Sequence, residues 1–122
     1  MGSNHLNERR RHTRFNTDLP LEYRVPDASQ AHGALVINAS ESGLLVHSIK
    51  DIPVGTKLNI AVLFPQGYEL ANFEVFAEIV WRDFHWEETR EGYQLGLRFI
   101  DILEEEHRKL KRLLAEVRET QI

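Results

Sequence analysis

Six stretches of the chain carry apolar residues at strand spacing, and a seventh changes period. Leu21, Tyr23 and Val25 alternate with Glu22 and Arg24 between Pro20 and Pro26. Ala34 to Ile37 and Gly43 to His47 are short continuous apolar runs. Leu58, Ile60 and Val62 alternate after the Pro53–Gly55 turn. Phe73, Val75, Ala77, Ile79 and Trp81 form the longest alternating stripe, and Tyr93, Leu95, Leu97 and Phe99 the last. Apolar residues at every second position line one face of a strand, so this pattern predicts an antiparallel sheet or barrel. Pro65-Gln66-Gly67 and the polar stretch Asp83 to Gly92 read as hairpin connections.

Beyond residue 101 the spacing becomes helical. Leu103, Leu110 and Val117 recur at sevens, with His107 and Leu114 between them, which places one apolar stripe on an α-helix. Asp101 and Glu104 have capping-box spacing. Acidic Glu104 to Glu106 precede basic Arg108 to Arg112, the order that the helix dipole favours. The stripe is expected to pack on the barrel or cover one open end, with a partner helix as the alternative.

Length and composition narrow the class. The 122 residues suit one domain, and 42% hydrophobic with 28% charged residues is an ordinary globular balance. With no cysteine there is no disulfide, zinc-thiolate site, iron–sulfur cluster or cysteine nucleophile. No apolar run reaches the roughly 18 residues that span a bilayer, and the polar, Arg-rich start lacks a secretory h-region, so a cytoplasmic location is expected. The net charge of −4 is uneven: residues 1–14 carry +3, residues 15–100 carry −6 and residues 101–122 carry −1. An acidic body argues against a protein that coats nucleic acid. One dense arginine cluster suits a small polyanion, or else a solvated arm.

Catalytic and metal readings find little support. The six histidines make no HxxxH or HExxH spacing, and His85-x-Glu87 lacks the cysteine pair of a zinc deaminase. Ser40 has no G-x-S-x-G elbow around it. No nucleophile, base and oxyanion hole assemble, so the chain is read as a binding module without catalytic residues, metal or cofactor.

Two motifs carry the functional reading. The first is Arg10-x-x-x-Arg14 within Arg9-Arg10-Arg11-His12-Thr13-Arg14; the second is Asn38-x-Ser40-x-x-Gly43 at a strand junction. The second motif is also simply a good polar turn, because Asn and Ser bond their own turn backbone. In this order, ahead of a strand-rich body and a terminal helix, the two resemble the PilZ domain family, whose members bind cyclic di-GMP. The resemblance runs from about Glu8 to about Leu114. It includes Gly43-Leu44, the strand Leu58 to Phe64, Val80-Trp81, and Tyr93-Gln94-Leu95-Gly96-Leu97-Arg98-Phe99. It implies a mainly β fold, a six-stranded antiparallel PilZ-type β-barrel with a C-terminal α-helix. Residues 1–8 are then a flexible N-terminus and 9–119 the PilZ domain: 9–18 an arginine-rich ligand arm, 19–100 the barrel, 101–119 the helix.

The resemblance makes Arg9, Arg10, Arg11, Arg14, Asn38, Ser40 and Gly43 the cyclic di-GMP residues. Trp81 is read either as core or, with Gly96, as a neighbour of the ligand. Arginine can grip a phosphate bidentately, pair with guanine O6 and N7, or stack on a base. Asn38 and Ser40, an even step apart, are expected to share a barrel face, with Gly43 leaving room for close approach. In the family an arginine at the position of Arg9 tends to accompany two intercalated ligands on one domain, so the resemblance implies that mode as an expectation here. Ligand would order the arm and reshape a surface for an unknown protein partner. Two alternatives stay open: a PilZ-like adaptor that binds no nucleotide, and a single-stranded nucleic-acid binder stacking bases on Trp81, Phe84 and Trp86.

Overall fold

A computed structural model describes the backbone of residues 15–87 and 90–120. Strands β1 (Phe15–Arg24), β2 (His32–Ala39), β3 (Gly43–Ser48), β4 (Lys57–Gln66), β5 (Glu69–Glu87) and β6 (Arg90–Asp101) are followed by helix α1 (Glu104–Thr120). All pairings are antiparallel, and the strands close into a barrel in the order β1-β2-β3-β6-β5-β4. This is the six-stranded barrel with a C-terminal helix that the pattern predicts. Closure gives every strand a hydrogen-bonded neighbour on each side around the ring.

β5 makes closure possible. Its first half pairs with β4, from Gln66↔Glu69 to Lys57↔Glu78, and its second half pairs with β6, from Phe76↔Asp101 to Glu87↔Arg90. The strand thus serves two neighbours in succession. Register shifts at Phe76/Ala77 and Ile79/Trp81 bend it where it changes partner, as bulges do. The alternating residues of the strands meet inside: Leu21, Val36, Leu44, Phe73, Ile79 and Leu95 are almost fully buried. Each such side chain contributes about 1.5–3 kcal/mol on burial.

α1 closes one end of the barrel. Leu110, Leu113 and Leu114 are buried in the common core, and Val117 packs against it. Glu106 is also buried, at 6% exposure, because its carboxylate has work to do: Oε1 accepts from the Glu74 backbone N–H of β5 at 2.8 Å and Oε2 meets Lys109 Nζ at 2.9 Å. Those two bonds together outweigh the cost of burial and hold the Glu106 pKa below the usual carboxylate value.

The structure corrects the sequence reading at four places. β1 begins at Phe15, ahead of residue 19, and its start is irregular, with a register shift between Asn16 and Leu19 and Asp18 at φ 53°. Asp83 to Gly92 is not a loop. The two strands run on, pairing as far as Glu87↔Arg90, because antiparallel backbone bonding does not require apolar side chains. The helix starts at Glu104, so Asp101 belongs to β6 and does not cap it. The buried stripe also lies at a different angle: Leu103 is 66% exposed and Leu113 is inside.

Candidate functional site

Two bulges decide which residues reach the outer surface. In β2, Val36 pairs with Val46 and Asn38 with Leu45, so Ile37 is an extra residue. Val36 and Val46 point into the core; without the extra residue Asn38 would follow them. The bulge turns Asn38 outward and returns the next residue, Ala39, to the core opposite Leu44. In β5, Ile79 pairs with Leu97 and Trp81 with Gly96, so Val80 is the extra residue. Strict alternation would carry Trp81 inward with Phe73, Val75, Ala77 and Ile79. The bulge turns it out, and it is 45% exposed. The core reading of Trp81 is therefore overturned.

Both reoriented residues fall on one line. Asn16 of β1 pairs with Asn38, Asn38 with Leu45, Leu45 with Gly96, and Gly96 with Trp81. Directly paired residues share a face, so this line is an outward strip across β1, β2, β3, β6 and β5. Three strand spacings separate Asn38 from Trp81, or about 14 Å. Gly96 is what allows the indole to lie down: a Cβ there would come within 2.1 Å of Trp81 Nε1. Trp81 thus covers Gly96 and presents a flat apolar surface at one end of the strip.

The turn from β2 to β3 lies beside this strip. The Ser40 backbone N–H donates to the Gly43 carbonyl at 3.0 Å. Ser40 is only 1% exposed, and its Oγ accepts from the Ser42 N–H at 3.2 Å and lies 3.3 Å from Ser42 Oγ. Its side chain is spent on the shape of the turn. Asn38 and Ser40 therefore do not present themselves alike, since Asn38 is half-buried on the outer face and Ser40 is tucked beneath. Gly43 permits a close approach, but to the chain itself: a Cβ there would sit 2.2 Å from the Leu97 carbonyl oxygen of β6. Glu41, inside the turn, reaches His107 of α1 at 3.6 Å, so the helix touches the motif.

Sequence reasoning did not single out Arg98. It pairs in register with Gly43 on one side and with Glu78 on the other, and its guanidinium bonds the Glu78 carboxylate at 2.9 Å. It is exposed and supplies a positive group directly beside the turn. Its outward parity in β6 was readable; its nearness to Gly43 needed the register. Arg9, Arg10, Arg11 and Arg14, and the side chain of Trp86, lie outside the described residues. Phe15, the first described residue, pairs with Ala39 of the motif.

Among the described residues no group of three acidic or histidine side chains could hold a metal. Nor is any described helix long and apolar enough to cross a membrane. A joint stacking platform of Trp81 and Phe84 is not formed. Pairing is regular from Trp81↔Gly96 to Phe84↔Tyr93, so the two aromatics alternate onto opposite faces, and Phe84 stands edge-on to Tyr93 with centroids 5.5 Å apart.

The described residues form a closed six-stranded antiparallel barrel that is capped by a helix and carries a polar strand-junction turn beside an exposed tryptophan. The sequence matches the family described as PilZ domain over residues 8–116, and the chain belongs to that family. The fold is shared with solved structures at low sequence identity. The PilZ domain of Escherichia coli YcgR with c-di-GMP superposes with a TM-score of 0.72 at 16% identity, covering 93% of this chain and 94% of that one. The Bacillus subtilis inhibitor of motility MotI/DgrA gives 0.71 at 17%, covering 93% and 51%. MrkH of K. pneumonia in complex with c-di-GMP gives 0.73 at 13%, covering 93% and 54%. The chain thus spans about half of MotI/DgrA and MrkH and nearly all of the isolated YcgR domain. Among curated proteins no sequence matches it.

Proposed function

We propose that this chain is a receptor for cyclic di-GMP and not an enzyme, with the ligand held between the N-terminal arginines and the outward strip of the barrel. The observation that carries this reading is the pair of bulges, which puts Asn38 and Trp81 on one outer line next to the strand that leads to Arg14. Bulges often re-aim side chains at functional sites, and here two act toward the same surface. The Asn38 amide offers a donor and an acceptor to a guanine edge, and the Trp81 ring offers a stacking surface. Arg10 and Arg14, with Arg9 and Arg11, supply the positive charge that two phosphodiesters need and that the acidic barrel lacks.

Binding draws the arm onto this face, and the reshaped surface is what a partner protein reads. With four arginines available, two intercalated ligands can be neutralised on one chain. Isothermal titration calorimetry with cyclic di-GMP, and GTP as control, tests the proposal. Saturable binding in the micromolar range, about −8 kcal/mol, is expected for cyclic di-GMP alone, with a stoichiometry that separates one ligand from two. Absence of heat, with unchanged amide shifts at Asn38 and Gly96, would leave the chain a PilZ-fold protein adaptor.

A further inference from the structure

Apart from the strip, the outer face of β1, β4 and β5 carries a groove of about 370 Å³. The strip crosses β1, β6 and β5 at Asn16, Gly96 and Trp81, whereas the groove lies further along these strands at Glu22, Arg24, Glu74, Phe76 and Asp101, so the two share strands but no residue. Two adjacent outward rows form its floor. One is Glu22–Ala61–Glu74, and the other is Arg24–Asn59–Phe76–Asp101, each residue paired in register with the next. Ala61 is the small residue in the middle of the first row and makes the depression. Leu103, just ahead of α1, and Glu106, in its first turn, build the wall.

We propose that this groove docks a basic peptide segment of a partner protein, a stretch of lysines or arginines that carries an apolar anchor. Charge decides the occupant. Four carboxylates, Glu22, Glu74, Asp101 and Glu106, line the groove against Arg24, the one cation among the lining residues, and the neighbouring Lys109, which binds Glu106 and is also within electrostatic reach of Glu74. The groove is therefore negative, and it sits on a body whose net charge outside residues 1–14 is already acidic. Its apolar part is equally specific. Phe76 is half-buried in the floor, and Leu103 stands 66% exposed on the wall although it lies on the helix-entry segment. An aliphatic side chain set between these two, flanked by cations over Glu22, Glu74 and Asp101, would satisfy both features. The floor crosses four strands, about 14 Å, which is the reach of a short extended peptide. The inference does not depend on nucleotide binding.

The test uses the full chain and a fluorescein-labelled synthetic peptide of alternating lysine and leucine, followed by anisotropy at physiological salt. A glutamate–leucine peptide of the same length is the control. Saturable binding of the basic peptide is expected, with amide shifts centred on Asn59, Ala61 and Phe76. Glu22→Lys and Leu103→Ser should each weaken it about tenfold. Glu116→Lys, the same charge change on an exposed helix position outside the groove, should leave it within twofold. Melting curves of the variants should coincide with the parent, because both groove positions are exposed. Equal loss for Glu116→Lys and Glu22→Lys would reduce the effect to bulk charge and overturn the proposal. Groove amides that shift with protein concentration alone would also overturn it, by showing that a second copy of the chain fills the site.

Discussion

Gly43 and Gly96 hold the two ends of the candidate site by opposite means. At Gly43 the missing Cβ lets two backbones meet, since Leu97 O would lie 2.2 Å from it. Backbone cannot step aside cheaply, so Gly43→Ala should force β3 from β6 and cost about 1–3 kcal/mol in urea unfolding, as overpacking does. At Gly96 the space is taken by the Trp81 ring, a side chain with open solvent beside it. Truncating Trp81 should accordingly cost little stability. Trp81→Ala is expected to lower the unfolding free energy by less than about 1 kcal/mol, whereas a core tryptophan would cost about 3–5. Chemical denaturation of that one variant separates the two roles. A small stability cost with weakened cyclic di-GMP binding is the pattern of a surface kept for a ligand.

At the level of elements, α1 is bound to the barrel by buried leucines, by the Glu106 carboxylate and by the contact of His107 with Glu41. Leu110→Ala should cost about 2–5 kcal/mol, because Leu110 is fully buried at the barrel end. Leu103→Ala, on the same heptad, should change stability by less than about 0.5 kcal/mol because it faces solvent. Glu106→Ala should cost about 1–3 kcal/mol by leaving the Glu74 N–H without its acceptor. The same bond gives a pH dependence of known sign. The folded pKa of Glu106 is depressed below its unfolded value, so its contribution is complete above about pH 4.3 and is lost as pH falls through the depressed value. Acid unfolding of Glu106→Gln should therefore be flatter than that of the parent below that pH. Leu103 and Glu106 also show where reading the sequence stops. Period and polarity located six strands and a helix, because each buried face repeats regularly. They set the helix at the wrong angle, since a buried carboxylate with two partners looks like a solvated one in sequence. They missed the β5–β6 extension, where the regular aliphatic stripe gives way to charged residues mixed with Phe84, Trp86 and Tyr93. The site was legible as a list of residues. Its surface was not, because Asn38 and Trp81 face outward only through bulges at Ile37 and Val80, which shift register without any sequence signal of their own.

For the whole molecule, the closed barrel and the ligand contacts are separable in energy. The barrel's stability comes from its filled interior and from α1, and Arg14 precedes the first strand. Under the proposed function, ligand at 100 times its dissociation constant adds about 2.7 kcal/mol to the folded state, enough to raise the melting temperature by several degrees in a domain of this size. Arg14→Ala should melt with the parent in the absence of cyclic di-GMP and lose about half of that rise in its presence, because weakening the site about tenfold removes about 1.4 kcal/mol of the linkage. Gly43→Ala should show the complementary result: a lower melting temperature without ligand, from the strained β3–β6 contact. Differential scanning calorimetry of the parent and both variants, each with and without cyclic di-GMP, reads all of these terms. If Arg14→Ala retained the full ligand-dependent rise, the arginine arm would have no part in the site, and the cation beside the motif would have to be Arg98 on the barrel itself. Arg98→Ala is then the variant that should lose it, since its guanidinium stands in register with Gly43 and is held there by Glu78.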